Sequence, residues 1–164
     1  MKKRLIVLIL FFFMTPSVSA QQNNVNKPRN LYSDSAIVID SKTGSVLYSK
    51  NGDKRMNPAS ITKIATAIYA IEHANLNDQV KISKKASDIE GSTVYLTAGE
   101  TLSLEQLLQG LMVNSGNDAA VAIAEHTEGS VKHFVDQLNR FLEKEVGVKD
   151  THFENPHGLY GENH

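Results

Sequence analysis

The chain has 164 residues and no cysteine, and 17 Lys+Arg against 18 Asp+Glu give a formal net charge of −1 at pH 7. The missing cysteines exclude disulfides and thiolate metal sites, and the balanced charge lacks the basic surplus of a nucleic-acid binder. The six histidines include no H-E-x-x-H pair, and His126 and His133 are too far apart to share one helical turn.

Lys2, Lys3 and Arg4 precede the apolar run Leu5 to Met14, and Val18-Ser19-Ala20 supplies small residues for cleavage. This pattern predicts a secretory signal peptide over residues 1–20, with Gln21 at the mature N-terminus. A membrane span would need about 18 apolar residues in a row, more than this run holds. Its removal leaves 14 basic against 18 acidic residues, or −4, in a mature chain of 144 residues. That length suits one domain. Residues 21–35 read as a polar lead-in, and residues 36–164 as the folded part.

Ala36-Ile37-Val38-Ile39 and Ser45-Val46-Leu47-Tyr48 are β-prone runs joined by a short loop ending in Gly44, which predicts a hairpin. A two-stranded hairpin is marginal in water, so its partner strands are expected to come from elsewhere. Asn57-Pro58 then signals a helix start. The helix is expected to run to about Ala74 and to be buried, since Lys63 is the only charge from Met56 to Ile71. Val80-Lys81-Ile82 and Thr93-Val94-Tyr95-Leu96 are short β-prone pieces. Ser103 caps a helix carrying Leu104, Leu107, Leu108 and Leu111 at helical spacing. The polar knot Asn114-Ser115-Gly116-Asn117-Asp118 breaks it before a small-residue helix. Ser130 caps another helix, with Gly147 just past its end. The tail is turn-like around Asn155-Pro156-His157-Gly158.

Ser60-Ile61-Thr62-Lys63 is the only S-x-x-K in the chain. The motif alone is weak, and its bland reading is a first-turn serine with a surface lysine. Its setting favours chemistry. Positions i and i+3 share a helix face, which places the Lys63 amine near the Ser60 hydroxyl. The uncharged surroundings desolvate that amine and push its pKa down toward a usable base. A serine hydroxyl needs such a base to become a nucleophile. Ser115-Gly116-Asn117 reads either as an ordinary helix–helix loop or as a polar group at a cleft mouth. In the second reading Ser115 relays a proton to a leaving amine, while Asn117 binds the substrate amide or orients Lys63.

Pro58-Ala59-Ser60-Ile61-Thr62-Lys63, followed by "LLQGLMVNSGNDAAVAIAE" and "THFENPHGL", closely resembles the serine-type D-alanyl-D-alanine carboxypeptidases, the low-molecular-mass penicillin-binding proteins of peptidase family S11. The resemblance runs from about Ala36 to the last residue. It implies a β-lactamase/transpeptidase-like fold of the α/β (α+β) class, represented here by a β-hairpin, the S-x-x-K helix and a helical lobe. It also implies an exported, penicillin-sensitive enzyme that removes the terminal D-Ala from peptidoglycan stem peptides through an acyl-serine. Ser60 would be the acylated nucleophile, Lys63 its general base, and Ser115 and Asn117 the second motif. No cofactor and no metal are implied. The expected partners are stem peptides ending in D-Ala-D-Ala and acylating β-lactams.

Two tripeptides earlier in the chain imitate the remaining signature. Lys42-Thr43-Gly44 and Ser49-Lys50-Asn51 both precede Ser60, in the hairpin turn and at a strand end, and are expected to be decoys. In the family the working K-T-G lies on a late strand, well after the His157-Gly158-Leu159 counterpart. Its lysine would engage the substrate carboxylate, and the next backbone N–H would form half of the oxyanion hole. This chain stops at His164, so it is expected to be the front part of a longer protein whose C-terminal strands, and any membrane-anchoring segment, lie beyond it. Rival readings are a β-lactamase or a peptidoglycan endopeptidase of the same superfamily, and a non-catalytic exported protein that binds cell-wall peptide.

Overall fold

A computed structural model describes residues 31–164; the signal-peptide expectation and most of the lead-in fall outside the described residues. The described chain divides into two units, one ending at Lys54 and one running from Arg55 to His164.

The first unit is the expected hairpin. Strands β1 (Ala36–Ile39) and β2 (Val46–Lys50) pair antiparallel, with a bulge between Val38 and Ile39. Asp40 makes the turn: its carboxylate accepts the N–H groups of Lys42 and Thr43 and the Thr43 hydroxyl. Gly44 closes it at φ +72°, a conformation glycine adopts without a Cβ clash. Lys42-Thr43-Gly44 is therefore turn chemistry. Lys50 and Asn51 are similarly occupied, donating to the carbonyls of Leu31, Ser33 and Asp34. Ile37, Val38, Ile39, Val46 and Leu47 each remain about half exposed.

In the second unit a 3₁₀ turn (Ala59–Ile61) leads into α1 (Thr62–His73). Strands β3 (Gln79–Lys81) and β4 (Thr101–Ser103) form a small antiparallel pair. Around them stand α2 (Lys84–Ser87), α3 (Leu104–Val113), α4 (Asn117–Glu128) and α5 (Val131–Phe141), the last running into a π turn, Leu142–Val146. The caps expected for α3 and α5 are in place, whereas the helix start expected at Asn57-Pro58 is a 3₁₀ turn, and α1 begins at Thr62 without a side-chain cap. Ser103 and Gln106 make a reciprocal capping box at α3, Ser130 caps α5, and Gly147 ends the π turn left-handed.

The central helix is α4, whose residues from Asn117 to Ala124 are all buried. Its alanines allow α3, α2, α1 and α5 to approach closely, a stripe of small side chains doing for packing what large ones do elsewhere. One core joins Leu104, Leu107, Leu111, Val121 and Ile123. A second joins Tyr69, Phe134, Leu138 and Phe153, with the Tyr69 and Phe134 rings edge to face. Burial raises the pKa of the Tyr69 phenol, reinforced by its hydrogen bond to Glu128.

Two expectations need correction. Helix α1 is buried on one side only, and that side mixes polar and apolar residues: Thr62, Lys63 and Thr66 are enclosed together with Ala67, Tyr69 and Ala70, while Ile64, Ile68 and Ile71, and Ile61 just before the helix, are about half exposed or more. The segment 93–96 is not a strand. Tyr95 sits at φ +61°, which interrupts extended backbone, and β3 takes β4 as its partner instead. Among the described residues, no helix is long and apolar enough to cross a membrane.

Candidate active site

Three side chains converge, from the 3₁₀ turn, the first turn of α1 and the loop between α3 and α4. The Lys63 Nζ lies 3.1 Å from Ser60 Oγ and 3.1 Å from Ser115 Oγ, and the two hydroxyl oxygens are 2.9 Å apart. Helical spacing supplies the first contact, because Ser60 in the 3₁₀ turn and Lys63 in the first turn of α1 are three residues apart on one continuous helical path. Backbone conformation supplies the others. Ser115 adopts φ +59° between α3 and α4, rare for a residue with a Cβ. Such a conformation persists where surrounding structure enforces it and is concentrated at functional sites.

Burial differs across the triangle. Lys63 is 2% exposed, whereas Ser60 is open to solvent and Ser115 partly so. Desolvation pushes the Lys63 amine below its ordinary value of 10.5. The three distances suit a closed ring once that amine is neutral. Ser60 O–H then donates to Nζ, Nζ–H to Ser115, and Ser115 O–H to Ser60. Hydroxyl hydrogens rotate freely enough to allow it.

A buried imidazole completes the environment. His157 Nδ1 accepts the Leu159 N–H, which places its proton on Nε2. Burial, with the Lys63 charge nearby, lowers its pKa to about 4, so at neutral pH it adds no second cation beside the amine.

Asn117 lies in the first turn of α4 and takes a different partner. Its Nδ2 donates to the Glu90 carbonyl at 2.8 Å, and its backbone N–H donates to Ser92. Gly91 permits this approach: it has φ +90°, and a Cβ there would meet Asn117 Nδ2 at 2.6 Å. The side-chain oxygen of Asn117 is left to accept. Among its hydrogen bonds there is none to Lys63.

Next to it stands Asp118, which sequence reasoning passed over. It is 1% exposed and accepts the N–H groups of Val94, Leu96 and Ala119 at 2.9–3.1 Å. One carboxylate thus fixes both residues that flank Tyr95. The signal was present, an acid in the first turn of a helix, but nothing in the sequence joined it to residues twenty positions earlier. Asp118→Ala is expected to remove the acceptor of three backbone N–H groups and to destabilise the fold by on the order of 2–4 kcal/mol. Denaturant unfolding of the purified variant measures this, and an unchanged midpoint would contradict it.

A family model described as D-alanyl-D-alanine carboxypeptidase, peptidase family S11, matches residues 21–164. The chain belongs to that family. The D-alanyl-D-alanine carboxypeptidase DacF of Bacillus subtilis is 37% identical over 98% of this chain and 42% of its own length. DacD of Escherichia coli is 34% identical over 97% of this chain and 44% of its own. Among solved structures, the Francisella tularensis D-alanyl-D-alanine carboxypeptidase DacD superposes with a TM-score of 0.75 at 38% identity, covering 80% of this chain and 33% of that one. Penicillin-binding protein 5 from Haemophilus influenzae gives a TM-score of 0.75 at 32% identity, over 83% and 42% of the two chains. The chain therefore spans about two-fifths of the length of the curated relatives it matches, and its α+β architecture is that of the penicillin-binding enzymes.

Proposed function

We propose that this chain carries the nucleophile half of a serine-type D-Ala-D-Ala carboxypeptidase. The observation that carries the reading is the Ser60–Lys63–Ser115 triangle, with its solvent-open hydroxyl and buried amine. Membership in a family described as D-alanyl-D-alanine carboxypeptidase supports the substrate class. In this reading Ser60 Oγ attacks the carbonyl carbon of the penultimate D-Ala while its proton passes to neutral Lys63. The tetrahedral intermediate collapses with cleavage of the C–N bond. Lys63 returns the proton through Ser115 to the departing amine of the terminal D-Ala. Water then attacks the acyl-serine, Lys63 again serving as base, and the shortened peptide leaves.

Asn117 offers its side-chain oxygen to the N–H of the substrate peptide, its nitrogen being held by Glu90. β-Lactams would acylate the same serine and stay, because their opened ring leaves no separate amine product to depart. The Lys-led apolar N-terminus supports export by a cleaved signal peptide to the cell envelope.

The test uses the native gene product, as expressed from its own gene, and a stem pentapeptide ending in D-Ala-D-Ala. Release of free D-Ala one-for-one with tetrapeptide is expected. Cleavage of cross-linked dimers without D-Ala release would instead identify an endopeptidase, and rapid β-lactam turnover a β-lactamase. Binding without any product would leave only a cell-wall-peptide binder.

A further inference from the structure

The residue just before the serine has an unusual backbone. Ala59 adopts φ +48°, a left-handed conformation that costs an L-residue about 1–2 kcal/mol and needs its surroundings to hold it. Two of its hydrogen bonds are local. Asn57 Oδ1 accepts its N–H at 3.1 Å, and its own carbonyl accepts the Thr62 N–H. The third constraint comes from almost a hundred residues away. A Cβ built on Gly158 would fall within the van der Waals radii of the Ala59 carbonyl carbon and oxygen, both backbone atoms that cannot swing aside. The bare Cα of Gly158 is pressed against the Ala59 peptide.

Gly158 is itself firmly held. Asn155 Oδ1 accepts the N–H groups of His157 and Gly158, and Asn155 Nδ2 donates to the Leu159 carbonyl. Thr66, on the buried face of α1, donates to the Pro156 carbonyl at 2.7 Å. This turn is thereby tied to the helix that carries Lys63 and directly follows Ser60. Gly158 also needs to be glycine for its own backbone, at φ +90°.

We propose that Gly158 is a positioning residue for Ser60: the Asn155–Leu159 turn uses its missing side chain to abut the Ala59 peptide, holding the left-handed backbone that brings Ser60 Oγ to Lys63 and Ser115. This rests on the reading of Ser60 as nucleophile. A displacement of about 1 Å at the reacting atom can cost on the order of 10²-fold in rate. Substrate binding outside the reacting atoms would change little.

The experiment measures acylation of the native gene product by a chromogenic β-lactam, separating the non-covalent dissociation constant from the first-order acylation constant. Gly158→Ala is expected to lower the acylation constant by about 10²-fold, with the dissociation constant within about threefold. Adding Ala59→Gly, which removes the strain of the left-handed backbone, should recover melting temperature but not the acylation constant. A purely structural glycine would recover both together. If Gly158→Ala does not fold, Asn155→Ala loosens the turn without adding a clash, and a roughly tenfold slower acylation is expected. A parent-like acylation constant in either folded variant overturns the proposal. Failure of the parent protein to acylate Ser60 at all would overturn the nucleophile reading instead, so the two failures are distinct.

Discussion

Lys63→Ala is expected to slow acylation by roughly 10²–10⁴-fold, the usual worth of a positioned general base. The amine is 3.1 Å from both hydroxyls and is the one group in the triangle able to take a proton. Its pH dependence follows from its burial. Desolvation lowers the amine's pKa from 10.5, and the unprotonated amine is the base, so the acylation rate should rise with pH through that depressed value and level off above it. Lys63→Arg provides the control. It keeps the positive charge but cannot release a proton in the accessible range, so its rate should be as low as that of Lys63→Ala and flat over the same pH interval. Stopped-flow acylation from weakly acidic to alkaline pH measures both. A Lys63→Arg profile that still rises through the same pKa would assign the titration to another group.

The sequence made legible the parts governed by local chemistry. The α3 cap at Ser103, the α5 cap at Ser130 and the Gly44 turn are local, and the structure has all three. The Ser60–Lys63 contact is equally local, being a single helical turn. Ser115 was legible as a motif, but its meeting with Lys63 depends on α3, α4 and α1 packing together, which periodicity alone does not dictate.

What stayed hidden is of two kinds. Left-handed backbone at Ala59, Tyr95 and Ser115 has no sequence signal, since these residue types do not favour it. Long-range satisfaction of buried polar groups is the other kind. Thr62, Lys63 and Thr66 looked like a minor interruption in an apolar helix, yet they are enclosed along with Ala67, Tyr69 and Ala70, Thr66 being bonded to Pro156 and Thr62 to His164. Apolar count suggested burial all round. The side that is buried carries both the paired polar groups and the residues that enter the cores.

Ser60→Ala is expected to abolish covalent trapping altogether, because Ser60, in the 3₁₀ turn just before α1, is the solvent-open hydroxyl of the triangle. Ser115 lies within reach of the same base but is only partly open, and the reading gives it a proton-relay role. The most direct measurement is peptide mapping by mass spectrometry after the native gene product is incubated with a penicillin, with Ser60→Ala treated in parallel. One penicilloyl adduct per chain, on the peptide containing Ser60 and absent from the variant, is the predicted result. An adduct on Ser115 or elsewhere, or one that persists at the parent level in Ser60→Ala, would contradict the assignment of Ser60 as the nucleophile.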